Sequence, residues 1–224
     1  MTIRALIFDV DGTLAETEEV HRAAFNRVFA EHGLDWSWDV DLYRDLLKTT
    51  GGKERMRVYA GMVGAELDDA RVLHMHLAKN DHYGAITHGQ AALRPGVEDL
   101  IRRAHAAGLK LAICTTTSRA NIEALIEATL GAEWLALFDT IVGAEDAPVK
   151  KPAPDAYLLA LKRLGLPAAD CLAFEDSANG LAAARAAGIA TVVTPGIYTA
   201  HETFEGAAVV LPSLEGFDWT KADA

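Results

Sequence analysis

The stretch Ile3–Leu14, IRALIFDVDGTL, decides the fold. Apolar and β-branched residues run up to two aspartates, Asp9 and Asp11, and Gly12-Thr13 follow at once. A buried parallel strand breaking into a tight turn reads this way. In open α/β sheets ligands bind off the carboxyl ends of strands, so this turn is the expected active site. Asp9 and Asp11 can aim at one small volume only if the chain turns immediately, and Gly12 gives that freedom because it has no Cβ. An isolated DxDG is more often an Asp-rich turn without chemistry, so the rest of the chain has to supply the weight.

Downstream of Leu14 the strand and helix alternation of a parallel sheet does not begin. Thr17 is a candidate N-cap, Glu18 and Glu19 favour a first turn, and Gly33 stops the helix they start. His21, Phe25, Val28, Phe29 and His32 recur at helical spacing. Further helices are expected over 41–47, 54–62 and 68–81, so residues 15–90 read as a helical insertion. At Leu93-Arg94-Pro95-Gly96 the register changes. Helices at 97–107, 120–130, 155–164 and 178–187 then alternate with the strand-like runs LKLAIC, 140–142, CLAF, ATVV and AAVVL. The expected fold class is α/β, a doubly wound, Rossmann-like parallel sheet formed by residues 1–14 and 91–224, with the insertion between.

Composition narrows the function. The 224 residues suffice for one large domain or for a domain with a smaller inserted one, and half are hydrophobic. Lys and Arg number 21 against 32 Asp and Glu, a net charge of −11. That balance argues against nucleic acid or an anionic membrane as partner, while local cations or a metal can still hold a small anion. Cys114 and Cys171 both lie in strand-like runs and read as buried thiols rather than a disulfide or zinc site. IRALIF follows Met1-Thr2 with no leader-like segment and no run is long enough to span a bilayer, so a soluble, cytoplasmic, monomeric protein is expected.

Three clusters fall on the same sheet edge as Asp9. Thr115-Thr116 after LAIC offers hydroxyl and backbone donors at a helix start, a seat for a phosphoryl oxygen or simply a cap. In Lys150-Lys151-Pro152-Ala153-Pro154-Asp155 the prolines fix the chain path, and a lysine there either points inward or belongs to a solvated loop. Glu175-Asp176-Ser177 sets two adjacent carboxylates at the end of a buried strand, where they raise each other's pKa unless a counter-charge is present. Mg²⁺ suits a few carboxylates, waters and a phosphate oxygen.

Taken in order, DVDGT, a strand ending in Thr, KPAPD and FEDS resemble the four motifs of the haloacid dehalogenase-like phosphatase superfamily over the whole chain. The resemblance implies Asp9 as nucleophile, Asp11 as general acid and base, Thr115 with the Thr116 amide as phosphate seat, and Lys151 as phosphate clamp. It also implies Mg²⁺ held by Asp9, Asp11 through its carbonyl, Glu175 and Asp176. Residues 15–90 correspond to the family's α-helical cap domain. Lys150, one position before the motif, is not carried over.

The cap resembles that of the β-phosphoglucomutase-like group, which implies substrate contacts at Thr17, His21 and in KND, Lys79 to Asp81. KTTGGKER and LDWSWDVDLYRDLL look most like the CbbY-type phosphatases, which remove the 1-phosphate of xylulose 1,5-bisphosphate, a Rubisco inhibitor. Lys53 stands where the mutases carry a cap-loop arginine, which weighs against a mutase. Gly51, Gly52, Lys53 and Arg55 in the cap, with Ser118 and Arg119 after the Thr-rich strand end, complete the expected contacts. Lys53, Arg55 and Arg119 are the cations available to a second phosphate. A phosphosugar mutase is the alternative. A phospho-accepting receiver module is a more distant one, because it has no use for Asp11 or for a cap of this size.

Overall fold

The computed structural model describes residues 2–147 and 149–221. After strand β1 (Ala5–Phe8) come four helices: α1 (Glu18–Glu31), α2 (Val40–Leu46), α3 (Gly52–Met62) and α4 (Asp69–Gln90). The alternating part then runs α5 (Val97–Ala106), β2 (Lys110–Cys114), α6 (Arg119–Thr129), β3 (Thr140–Val142), α7 (Asp155–Leu164), β4 (Cys171–Glu175), α8 (Ala178–Ala186), β5 (Ala190–Val193) and β6 (Val209–Val210). All pairings are parallel and the sheet order is β3-β2-β1-β4-β5-β6, the doubly wound α/β architecture expected. The chain builds outward from β1 to β3, then returns to the other side of β1. The strand carrying Asp9 therefore sits at the topological switch point, where such sheets bind ligands.

The two faces of the sheet are packed differently, following the strand period of two. Leu6, Phe8, Leu111, Ile113, Leu172 and Phe174 face α5 and α6, whose Leu100, Ile101, Ile122 and Leu125 fill the space. Ala5, Ile7, Ala112, Cys114, Cys171 and Ala173 face α7 and α8, which answer with Ala156, Tyr157, Ala160, Ala183 and Ala184. Both cysteines are free and buried, as their strand positions imply. Helices α1 to α4 have a core of their own, built around Phe25, Phe29, Trp38, Tyr43, Met56 and Met75. Trp38 is centred 4.8 Å from both Phe25, tilted, and Phe29, edge-on, and stacks on Tyr43. Tyr198, from the loop after β5, joins this cluster by packing edge-on against Tyr43 at 5.6 Å.

Three expectations need correcting. Thr17 occupies the N-cap position of α1 but makes no side-chain cap bond; its hydroxyl donates instead to Asp11 Oδ1 at 2.5 Å. The helix expected over 68–81 continues to Gln90, because Tyr83 and Ile86 pack on Val20 and Ala24 of α1 and bury the second half. Polar residues around position 81 obscure that stripe in the sequence. Of AAVVL, only Val209 and Val210 pair, with Val192 and Val193. Met1, Pro148 and 222–224, which the core expected over 1–14 and 91–224 includes, lie outside the described residues. No helix among the described residues is long and apolar enough to cross a membrane.

Candidate active site

Register brings the motif residues together. Phe8 is paired with Ile113 on one side and Phe174 on the other, so β1, β2 and β4 end nearly level. Asp9 and Thr115 directly follow β1 and β2 and Glu175 closes β4, so all three stand at one edge of the sheet, with the Asp9 N–H on Phe174 O and the Thr115 N–H on Val142 O, both at 3.0 Å. Gly12 has φ 80°, and a Cβ there would lie 2.3 Å from Asp176 Oδ2, so the turn needs glycine for backbone and for space.

Lys151 is the hub. It is buried, and its Nζ donates to Asp9 Oδ1 at 2.7 Å, Glu175 Oε1 at 2.6 Å and Cys114 O at 2.8 Å. Burial opposes its charge, but the carboxylates of Asp9 and Glu175 more than compensate and hold the amine above its ordinary pKa. Glu175 Oε1 also accepts from the buried Tyr157 hydroxyl, whereas Glu175 Oε2 is buried with no partner among the described residues. Oxygens of Asp9, Glu175 and Asp176 all lie within 4.8 Å of one another. Burial raises the pKa of Asp9 and of Asp176, and the neighbouring carboxylates add to it. Three buried carboxylates facing one lysine lack positive charge. An all-oxygen donor set with an orphaned Glu175 oxygen fits a hard divalent cation such as Mg²⁺.

Asp11 has a different environment although it is only two residues on. Its Oδ1 accepts from Thr17 Oγ1 and lies 2.9 Å from His21 Nε2, and Lys79 Nζ lies 2.5 Å from His21 Nδ1. The His21 ring thus bridges the Asp11 carboxylate and the Lys79 amine. Burial alone would raise the Asp11 carboxyl, but His21, Thr17 and Lys79 outweigh it and hold it at about 2. Its Oδ1 is committed to these partners, whereas its Oδ2 accepts no hydrogen bond among the described residues.

Burial dominates at Lys79, whose pKa falls to about 7 despite Asp11 and Glu18 nearby. In the unfolded chain the amine titrates near 10.4. Between these values the unfolded state binds more protons, so stability should rise with pH there, and the penalty should be largest below pH 7. Lys79→Met is expected to be more stable than wild type at pH 7, with the difference shrinking toward pH 9 in parallel thermal melts. A constant difference would mean that Lys79 does not titrate in this window.

A cavity of about 380 Å³ opens over these groups and is lined by Asp9, Asp11, His21, Gly51, Gly52, Lys53, Arg55, Lys79, Thr115, Thr116, Ser118, Lys151, Glu175 and Asp176. All were singled out in the sequence. Thr115 Oγ1 accepts from the Thr117 N–H, which leaves its own hydroxyl hydrogen to donate. Ser118 caps α6 by accepting from the Asn121 N–H. Arg55 is buried, its guanidinium 5.1 Å over the Tyr43 ring and donating to Tyr43 Oη, which in turn donates to Glu18. Thr17 stands behind Asp11 rather than on the cavity wall. Arg119 is not among the residues that line the cavity, and its Nε donates to Glu123, one helical turn on, at 2.7 Å on the half-exposed surface.

Other lining residues were not foreseen. Lys150 reaches the wall, its Nζ donating to the carbonyls of Ala144 and Ala147. Asn121 of α6 donates to Asn80 of α4 at 3.2 Å, and Asn179 of α8 donates to Thr50 Oγ1 at 3.3 Å. These amides join the helical segment to the sheet on two sides of the cavity. His76 lines it too. Asn80 falls in the KND stretch marked by the resemblance; for the others only the pairing of distant helices gives the signal.

Residues 3–188 match the family model described as haloacid dehalogenase-like hydrolase. The chain belongs to that family. Within the haloacid dehalogenase-like hydrolases it is 54% identical over 215 residues to Protein CbbY of Rhodobacter capsulatus, covering 96% of this chain and 95% of that one. The crystal structure of CbbY from Rhodobacter sphaeroides in complex with phosphate is 46% identical, with a TM-score of 0.95 and both chains covered completely. A second structure, of an aspartate-to-asparagine variant of that protein in complex with xylulose 1,5-bisphosphate, is 45% identical with the same TM-score and coverage. This haloacid dehalogenase-like hydrolase is thus of the CbbY type and a phosphoric monoester hydrolase, which sets the receiver-module reading aside.

Proposed function

We propose that the chain is a Mg²⁺-dependent sugar-bisphosphate phosphatase that acts through an aspartyl phosphate on Asp9 and converts xylulose 1,5-bisphosphate to xylulose 5-phosphate. The observation that carries this is a cavity with two cationic poles. Lys151 stands at the carboxylate end, and Lys53 and Arg55 stand across the wall on α3. The complex of the R. sphaeroides relative with xylulose 1,5-bisphosphate supports the choice of sugar.

Asp9, Glu175, Asp176 and the Asp11 carbonyl would hold Mg²⁺, which when bound supplies positive charge to the carboxylates and to the phosphoryl oxygens. Lys151 and the donors of Thr115 and Thr116 orient the phosphoryl group for in-line attack by an Asp9 oxygen. The P–O bond to the sugar breaks as the Asp9–phosphorus bond forms. The departing oxygen takes a proton from Asp11, whose carboxyl a phosphate dianion seated beside it would raise into the range of an acid. Once ionised again and held by Thr17 and His21, Asp11 accepts a proton from the water that cleaves the aspartyl phosphate. Residues 15–90 act as the cap: they exclude bulk water and grip the distal end of the sugar.

The test is phosphate release with Mg²⁺ from xylulose 1,5-bisphosphate, ribulose 1,5-bisphosphate and β-glucose 1-phosphate. Selective release from the xylulose bisphosphate is expected. Conversion of glucose 1-phosphate to glucose 6-phosphate with little free phosphate would replace this reading by a phosphosugar mutase.

A further inference from the structure

His76 is a cavity-lining group that the chemistry above leaves unused. It stands on α4 one turn before Lys79, with its ring against the start of α3 where Lys53 lies. Its Nδ1 is buried and has no hydrogen-bond partner among the described residues. The Nδ1–Cε1 edge of the ring rests on Gly52: a Cβ at that position would lie 3.2 Å from each of these atoms and 3.1 Å from Phe25 Cζ. Gly52 does not have positive φ, so what it supplies here is space, which this ring and Phe25 fill closely enough that a Cβ would press on both. Nε2 is neither hydrogen-bonded nor shut off among the described residues, and the cavity is what the ring lines.

These facts fix the state of the ring. Burial first, and then Lys79, Lys53, His21 and Lys150 around it, push its pKa down to about 3, so the imidazole is neutral at any working pH. A neutral imidazole carries one proton. On Nδ1 that proton would be a buried donor with no acceptor within reach, facing a glycine α-carbon, whereas on Nε2 it meets the cavity. The Nε2–H tautomer is the one that leaves no donor stranded.

We propose that His76 Nε2–H is a specificity-determining hydrogen-bond donor to the anionic distal end of a two-ended phosphosugar, on the wall that carries Gly52 and Lys53. The inference rests on the bisphosphatase reading and deepens it. Lys53 and Arg55 attract any anion. A neutral donor held in one orientation by packing against Gly52 and Phe25 adds direction, which a flexible ammonium does not. A substrate that lacks a second phosphate offers this donor no anionic partner.

The experiment compares kcat/KM for xylulose 1,5-bisphosphate with that for p-nitrophenyl phosphate, which has no distal phosphate. The comparison is made in wild type, His76→Ala, His76→Gln and His76→Asn, each checked for a cooperative melt. A hydrogen bond to a charged acceptor contributes about 1.5–3 kcal/mol, roughly 10- to 100-fold. His76→Ala should therefore lower the ratio of the two kcat/KM values by about tenfold or more, mainly through KM for the bisphosphate. His76→Gln, whose amide nitrogen falls near the Nε2 position, should recover much of that loss, and His76→Asn, whose nitrogen falls near Nδ1, should not. A wild type that prefers the bisphosphate while His76→Ala keeps the same ratio overturns the inference alone, as does equal recovery by Gln and Asn. A wild type with no preference for the bisphosphate overturns the functional reading, and the role of His76 with it.

Discussion

Asp9→Asn is expected to abolish phosphate release, by roughly 10⁴-fold or more, while leaving the protein folded. The amide keeps nearly the same shape and can still accept from Lys151, but it is not a nucleophile. Lys151 retains Glu175 and Cys114 O, so the hub is not dismantled. Burial disfavours the Asp9 carboxylate in the first place, so its removal should hold or raise the melting temperature. Large loss of activity at unchanged or higher stability is the combined signature to look for, by phosphate assay and thermal melt on the same preparation. Release that survives the substitution would sink the nucleophile assignment.

Lys151→Ala should do the reverse and damage the fold as well as the chemistry. It strands Asp9 and Glu175, buried and close together, without the cation that bonds both. Breaking a buried pair by removing one partner costs about 3–5 kcal/mol, and for a chain of this size that is a fall in Tm on the order of 10 °C. Mg²⁺ should recover part of the loss, because a cation among Asp9, Glu175 and Asp176 replaces the missing charge. The melting temperature of Lys151→Ala should therefore rise more steeply with Mg²⁺ concentration than that of wild type. Equal Mg²⁺ responses would mean that the carboxylates do not share one cation site.

Much of this was legible in the sequence because strand ends are marked by abrupt changes in residue type. IRALIF giving way to Asp9, LAIC to Thr115 and CLAF to Glu175 each announce a buried strand and what emerges from it, and parallel register does the rest. Helical spacing was less informative in the insertion. The second half of α4 is buried through Tyr83 and Ile86 only because α1 lies across it, a fact of tertiary packing that no local period contains. Thr17 was read as a cap because local chemistry favours that role, yet the Asp11 carboxylate competes successfully for its hydroxyl. Position after the strand suggests Arg119 as a site residue, and only the folded helix shows that Glu123, four residues on, takes its side chain in this structure. Lys150 and His76 carried no motif, and their relevance follows from which walls meet.

The unequal faces of the sheet have a thermodynamic consequence. The side that carries Tyr157 and α8, and so braces Glu175 and Lys151, is filled largely by Ala5, Ala112, Ala156, Ala160, Ala173, Ala183 and Ala184. Alanine loses no rotamer entropy on burial, so this layer is ordered at little conformational cost and has few side-chain states to explore once formed. The carboxylates thus rest on a base with little internal disorder of its own, while longer side chains such as Lys53 and Arg55 stand on the opposite side of the cavity.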